Sequence, residues 1–547
     1  MRITKNPVWT YARAPLATAM LATMVSTPIQ AVPFTLGDNV EGSFDLTVNA
    51  GLSMRIAKPD SALIGPGNGG TGGATKTASD DGSINWARGK TFSESVTALP
   101  ELELVMGDFG AFMRGKVFYD FAIEGDKAAV RQVPEGEKDI AGSSITLLDA
   151  FVWGNFEVGD QYLDVRVGQQ VVNWGEALFA ISGGINTINP LDGAAATAPG
   201  VEIKEIVLPT VMLYATLSLT DTTSIEGFFR PAKQWEQTLA PSCGTFFGTD
   251  YISTYSDACN FLNLGAPDSL TEAQVLGSHA AIPRGPDVFA HKDEFGLSYR
   301  FAIEALDTEF GVYYVQYNNT APSIYAKGVT SASMSSGLYG LKYIEGLEMF
   351  GISASTQKMK ISWQWEMSYR PDAYISVGET GLIGGATGQL PTSYAGVYVD
   401  DHVNGDVYQM SLTATKVLGQ MLGAGSGAVV GEYTINNADF TPGFLFDAAT
   451  RTSWGYTALF TLSYFNVFSG VNLKPSVTFT HNVNGQSAIG VASFREGRRN
   501  ISATLAADFR TVHIIKLKYT DYIASDTPTG SDKYDKDFVS LTYSWSL

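Results

Sequence analysis

The chain has 547 residues, with 36 Lys and Arg against 55 Asp and Glu for a formal charge of -19, and a hydrophobic fraction of 45%. That acidic balance excludes broad phosphate binding, because nucleic acid needs a basic footprint. The apolar residues never run uninterrupted for the roughly 20 positions a helical span requires, so any membrane crossing falls to strands, for which 12% aromatics and 57 glycines suit interfacial girdles and tight turns.

At the N-terminus, Arg2, Lys5 and Arg13 precede an uncharged run from Ala14 to Ser26, and small-residue cleavage follows at Ile29, Gln30 and Ala31. This pattern predicts a cleaved secretory signal peptide over residues 1–31 and a single mature domain over 32–547. A transmembrane anchor is the other reading of such a run, but the stretch is too short for one.

Strand signals then recur along the chain. Phe44, Leu46, Val48 and Ala50 alternate with Asp45, Thr47 and Asn49, and Leu163, Val165 and Val167 alternate with Asp164 and Arg166. Ile361, Trp363, Trp365, Met367 and Tyr369 oppose Ser362, Gln364, Glu366, Ser368 and Arg370. Tyr408, Met410, Leu412 and Ala414 oppose Gln409, Ser411, Thr413 and Thr415, while Ile515, Leu517 and Tyr519 oppose Lys516, Lys518 and Thr520. Each is a period-two strand with one apolar face. The tally is about 18 such segments, with 16 also acceptable, since bacterial barrels of this kind take even strand numbers.

The links between strands alternate in length. Those near 95–105 to 111–121 and 453–465 to 471–481 are short, whereas 57–92, 233–290, 371–405, 482–498 and 524–536 are long. Short periplasmic turns and long outer loops are the expected asymmetry, which places both termini in the periplasm. The glycine-rich stretch Gly65 to Ala74 lies in a long link with no helix after it, so it reads as a mobile loop rather than a phosphate cradle.

Residues 170–205 break the rhythm, through Asn173, Trp174, Gly175, Glu176, Phe179, Gly183, Gly184, Ile185, Asn186, Asn189, Pro190, Leu191 and Asp192. The segment is too apolar for a solvated loop and too irregular for a strand. A barrel of this size would otherwise enclose an open aqueous lumen. We therefore expect the segment to fold inward as a plug or constriction, with a structured cap on the outer rim as the alternative. Trp174 and Phe179 would supply the apolar side of a ligand site there, or serve only as packing contacts.

Cys243 and Cys259 stand in a polar stretch between strands, and in an oxidising compartment they read as one disulfide stapling a surface loop. A metal site would want further ligands in a recognisable spacing, which His279 does not supply, so neither a metal nor another cofactor is expected. Pro475 within a candidate strand suits either a strand start or a break in the ladder that could open the wall sideways. The chain ends on Phe538, Ser540, Thr542, Ser544 and Ser546 facing one way and Val539, Leu541, Tyr543, Trp545 and Leu547 the other, the dyad pattern of a membrane strand.

The run LLDAFVWGNFEVGDQYLDVRVGQQVVNWGEALF at 147–179, followed by GGINTINPLD at 183–192, FGVYYVQYNN at 310–319 and GAFMRGKVFYD at 110–120, resembles a proteobacterial outer-membrane family catalogued as domain of unknown function 1302. The resemblance covers the mature chain, including the cysteine spacing. It departs from the family pattern at INWARGK in the first long link and at the terminal leucine. It implies a monomeric barrel, distantly similar to long-chain fatty-acid transporters, that moves hydrophobic compounds such as lipids or sterols with periplasmic lipid-carrier and inner-membrane exporter proteins as partners.

Several charges are predicted to face inward: Arg114, Lys116 and Asp120 on one strand, Asp164 and Arg166 on another, and Glu366, Arg370 and Glu432 on later ones. Ionisable groups facing a lumen usually pair, so internal salt bridges are the preferred reading over pinning a plug or holding a polar head group. Catalysis is not expected, because His279, His291, His402, His481 and His513 stand in no serine elbow and Ser278 beside His279 has no orienting partner.

The sequence thus predicts an all-β transmembrane antiparallel barrel of about 16 to 18 strands with an inward-folded segment. The function expected is a gated channel or transporter for hydrophobic or amphipathic molecules. A diffusion porin is the first alternative and a structural or adhesive barrel acting through its loops the second. Gate and ligand candidates are Asn173, Trp174, Glu176, Phe179, Asn186, Asn189 and Asp192. Outer-membrane lipid and hydrophobic small molecules are the expected partners, with no nucleic acid.

Overall fold

A computed structural model describes residues 31–180, 183–250, 261–279, 281–327, 337–376, 402–442, 449–488, 494–525 and 533–547. Eighteen antiparallel strands close on themselves. The first nine are β1 (Val40–Arg55), β2 (Thr91–Met106), β3 (Phe109–Asp120), β4 (Ser143–Val158), β5 (Gln161–Gln170), β6 (Thr210–Thr220), β7 (Thr223–Arg230), β8 (Glu294–Ile303) and β9 (Thr308–Tyr317). The second nine are β10 (Leu347–Lys358), β11 (Ile361–Ser376), β12 (His402–Leu418), β13 (Ser426–Ala438), β14 (Thr452–Phe468), β15 (Val471–Asn484), β16 (Arg499–Phe509), β17 (His513–Ile523) and β18 (Phe538–Ser546). Each pairs with its sequence neighbour, and β18 pairs back onto β1 from Phe538–Arg55 to Ser546–Thr47. A short strand at Val32–Leu36 folds back on the start of β1, and two small hairpin sheets, Phe261–Asn263 with Ala281–Pro283 and Ser323–Lys327 with Leu338–Lys342, lie in the long connections; the alternation pattern signalled none of them.

The reason for closure is visible on β18. Ser540, Thr542 and Ser544 are 5%, 3% and 8% exposed, whereas Leu541 and Tyr543 are 44% and 42% exposed. The polar face points inward and the apolar face outward, the reverse of a water-soluble protein and the arrangement a bilayer stabilises. Outside the wall, Phe295, Tyr314, Phe350, Tyr369 and Tyr408 form a run of adjacent ring contacts across five strands, with centroids 4.7 to 6.4 Å apart. Aromatic girdles of this kind sit at head-group level. Among the described residues no helix is long and apolar enough to cross a membrane.

One end of the barrel carries turns as short as Gly107–Asp108 and Gly159–Asp160, together with both ends of the strand order. The other carries the long connections, including 56–90, 121–142, 171–209 and 231–293. The expected alternation of link length is therefore present, with strand limits shifted by a few residues. Within Gly65 to Ala74 the first residues are packed: Gly65 N–H donates to Asp80 at 2.7 Å, and a Cβ on Gly67 would collide with the Gly265 carbonyl, whereas Gly69 and Gly73 stand in open space. Burial pushes the Asp80 carboxyl up to about 7 and that of Asp268 to about 6, with neighbouring aspartates adding to both.

Pro475 does not open the wall. It stays in register with Leu505 of β16, and on its other side the ladder skips Lys474 and Pro475 and resumes at Leu473–Tyr464 in the same register. That gap is the local loss a missing N–H imposes.

Candidate functional site

The barrel interior is not an empty polar tube. Val172, Trp174, Ile185 and Ile188, all from the connection 171–209, pack into one apolar cluster with Met212, Phe228, Tyr313, Val315 and Met349 of the inner wall. Each of these four side chains is at most 1% exposed, and burial of that completeness contributes roughly 1.5–3 kcal/mol per side chain. Trp174 lies 5.4 Å from Phe228 and 5.9 Å from Tyr313 by ring centroids, so packing is the role the structure gives it. Phe179 is only half-buried.

An irregular segment inside a barrel must find partners for its backbone N–H groups. Two wall carboxylates provide them. Glu366 on β11 accepts from the N–H groups of Glu176 at 2.6 Å, Ala177 at 3.0 Å and Ile185 at 3.3 Å. Glu432 on β13 accepts from Leu178 at 2.5 Å, Phe179 at 3.1 Å and Ala180 at 2.7 Å, and also from the Thr413 hydroxyl at 2.9 Å. Hydrogen bonds to an ionised acceptor are worth about 1.5–3 kcal/mol each. The glycines let the backbone come this close. Gly183 takes φ +89, and a Cβ on Gly184 would run into Glu366 Oε1.

The expectation that inward charges form salt bridges therefore needs correction at Glu366 and Glu432. Neither enters an ion pair among the described residues; both are fully buried and solvate backbone instead. Asp120 also departs from it, accepting from the Ser93 hydroxyl and capping the short helix that starts at Phe121. Arg370 is buried, with Ser368 Oγ at 3.4 Å. Elsewhere pairs do form: Arg114 with Glu101 at 3.0 Å and Asp149 at 2.6 Å, Arg166 with Asp164 at 2.9 Å, and Lys116 with Asp192 at 3.7 Å.

The asparagines act within the segment. Asn186 Oδ1 accepts from the N–H groups of Trp174 and Gly175 and its amide donates to Asn173, while Asn189 donates to the Val172 carbonyl. They close the segment into a compact knot, and Asp192 Oδ1 caps the turn at Ala195. Beyond it, Pro199 approaches Gly51 of β1 and Gly200 approaches Thr542 of β18, so the segment reaches the far wall.

Sequence reading missed the most connected cation. Arg300 on β8 lies 3.2 Å from Glu226, 3.3 Å from Glu309 and 3.9 Å from Glu176, and donates to the Trp174 carbonyl at 3.0 Å. Glu226 in turn accepts from Trp174 Nε1 at 2.7 Å and the Tyr214 hydroxyl at 2.5 Å. Below them Arg230 pairs with Glu294 at 2.7 Å and donates to the Ile188 carbonyl. The signal was available, since Gly296, Ser298 and Arg300 alternate with Phe295, Leu297 and Tyr299.

A cavity lies where the small residues Ala194, Ala195, Thr197 and Ala198 face the wall. Its lining includes Phe92, Phe118, Ile123, Phe246 and Phe247, with Lys116 and Asp120 as its charged members. His513 Nδ1 contacts the Tyr543 hydroxyl at 2.8 Å, and His481 packs edge-on to Tyr456. Cys243 is fully buried, while Cys259 falls outside the described residues, as does the bond expected between them.

A family model described as "Protein of unknown function (DUF1302)" matches residues 12–547, and the chain belongs to that family. No curated protein matches. Among solved structures, Acinetobacter baumannii OccAB1 is 11% identical with a TM-score of 0.44, over 95% of this chain and 99% of that one. Pseudomonas aeruginosa OccK11 (OpdR) is 9% identical with a TM-score of 0.38, over 92% and 96%. Salmonella typhi OmpF, in a complex with daunomycin, is 10% identical with a TM-score of 0.38, over 94% and 100%.

Proposed function

We propose that this member of the DUF1302 family is a gated outer-membrane channel for hydrophobic or amphipathic molecules, such as lipids, fatty acids or sterol-like compounds. One observation carries the reading: the lumen is crossed by a segment that, besides its bonds to charged wall residues, buries a continuous apolar core against the wall. A water-filled porin gains nothing from burying Trp174, Ile185 and Ile188 at its centre. An apolar passage does, because the same surface can be exchanged for an apolar cargo at little cost.

In this reading residues 172–180 and 183–192 are the anchored half of the gate and 193–200 the movable half. The first half is held by Glu366, Glu432 and Arg300. The second is built of small residues against the phenylalanine-lined cavity, where Lys116 would exchange its Asp192 partner for an anionic head. Long connections face outward and both termini inward, where periplasmic lipid-carrier and inner-membrane exporter proteins would hand cargo on. A Cys243–Cys259 bridge would brace the longest connection.

Planar-bilayer recording of the refolded barrel, beside a variant lacking residues 174–192, tests the gate. A closed wild type and an open deletion are expected. Steady conductance in the wild type would overturn the gate in favour of a porin, for which the solvent-exposed Lys518 on the inner face of β17 would then be a selectivity group.

A further inference from the structure

Segment 171–209 does not fill the lumen evenly. The inward side chains of β11, β12 and β13 lie covered, with Glu366, Gln409, Ser411, Thr413 and Glu432 all at most 3% exposed. On β15, β16 and β17 the inward Ser476, Thr478, Thr504 and Lys516 keep partial exposure, and Lys518 is exposed. Water therefore reaches this part of the wall, and three lysines stand on it.

Their register places them together. Directly opposed residues of antiparallel strands share a face. Lys474 opposes Ala506, which opposes Lys516, which opposes the inward Thr542. One step along the same face, Ser476 opposes Thr504, which opposes Lys518, which opposes Ser540. Strand rise and spacing put the Cα atoms of Lys516 and Lys518 roughly 7 Å apart and those of Lys474 and Lys516 roughly 10 Å apart, so three flexible four-carbon stems can reach one small ligand.

Their charge is not answered. Lys474 lies 3.4 Å from Asp508, whereas Lys516 and Lys518 enter no ion pair among the described residues. Three ammonium groups against that one carboxylate leave two positive charges on the inner wall of a chain whose formal charge is -19. Elsewhere on the inner wall Arg114, Lys116, Arg230 and Arg300 each stand 2.6 to 3.7 Å from a carboxylate. Ionisable groups at membrane depth usually pair, so lysines kept without a partner beside water mark a ligand or ion path. The movable half of the gate lands next to them: Gly200 approaches Thr542, the register neighbour of Lys516, and Glu202 is the carboxylate whose charge bears most strongly on Lys516.

We propose that Lys474, Lys516 and Lys518 bind one anionic oxygen group, a carboxylate or a phosphate, in the water-accessible recess beside the gate segment. Ammonium groups act as point charges rather than planar forks, so the site accepts either geometry. The bound anion competes with Glu202 for Lys516 and so favours release of 193–200 from the wall. That the anion is the head of an amphiphilic cargo rests on the channel reading; the site itself does not.

The test uses the full refolded barrel in a non-ionic maltoside detergent at about 0.15 M ionic strength, where the Debye length is about 8 Å. Octanoate, its uncharged methyl ester and inorganic phosphate are titrated by calorimetry against detergent alone. One saturable octanoate site per chain is expected, with no such site for the ester. Binding should be at least tenfold weaker in the Lys516→Gln, Lys518→Gln double variant and retained when both are Arg. Octanoate that phosphate does not displace identifies an amphiphile head, and displacement identifies the anion alone; both support the site. Heat-modifiable gel mobility reports that each variant has formed its barrel. No saturable uptake of either anion by the wild type overturns the proposal whether or not the variants fold, and so does equal uptake by the folded double Gln variant. Because binding is read without conductance, an open wild type that still binds octanoate removes the gate and leaves the site, whereas a closed one that binds neither anion does the reverse.

Discussion

Glu432 accepts the backbone N–H of Leu178 at 2.5 Å across 254 residues of sequence, joining the middle of a barrel strand to a segment that enters from the mouth. The same carboxylate holds the next two N–H groups, and Glu366 holds the two before them. A carboxylate suits this task because it offers several lone pairs and no competing donor.

Replacing Glu432 with Ala strands three N–H groups in the lumen, each costing about 1–3 kcal/mol when left unsatisfied. Residues 176–180 are expected to lose amide-exchange protection and the channel to show frequent openings. Glu432→Gln keeps one accepting oxygen and should fall between. An Ala variant as silent and as protected as the wild type would remove Glu432 from the gate.

Arg300→Met leaves Glu226, Glu176 and Glu309 facing one another without their shared cation. Breaking a buried pair from one side typically costs about 3–5 kcal/mol. The tryptophan emission of the folded barrel should shift to the red as Trp174 loosens, and Arg300→Lys should not restore it, because an ammonium cannot span the same acceptors. Unchanged emission in the Met variant would argue against this network as the anchor.

Gly184→Ala places a methyl group against Glu366 Oε1, where the wild type brings backbone. The expected result is a gate that leaks while the barrel still folds, since the wall strands do not depend on residue 184. It is read as raised conductance with unaltered heat-modifiable mobility.

The outer connections that carry Asp80 and Asp268 should respond to pH. Burial raises the Asp80 carboxyl to about 7 and the Asp268 carboxyl to about 6 in the folded protein, against about 4 when unfolded. A raised carboxylate pKa disfavours the ionised folded form, so its stabilising contribution is complete below pH 4 and lost as pH rises toward 7. Exchange protection of residues 60–85 and 261–277, corrected for the intrinsic rate, should fall between pH 5 and pH 7 and level off above. Protection that rises over that window would contradict the assignment.

The period-two pattern carried the wall. Ser540 against Leu541, or Glu366 against Trp365, states which face meets water and which meets lipid, and it does so locally because a strand's side chains alternate whatever lies around them. Eighteen such segments with even pairing and alternating link lengths left little freedom in the topology. The segment 170–205 was visible as an interruption of that pattern, and Glu366 and Glu432 were visible as inward charges. What each carboxylate holds was not visible. Its partners lie 190 and 254 residues away, and backbone N–H groups carry no sequence signature. The same holds for Asp80, Asp81 and Asp268, which chain order scatters and only loop packing brings together. Alternation is a property of neighbours along the chain, so the sequence by itself determined the barrel. The gate and the packing of the outer connections depend on which distant surfaces are buried together, and only the tertiary structure decided that.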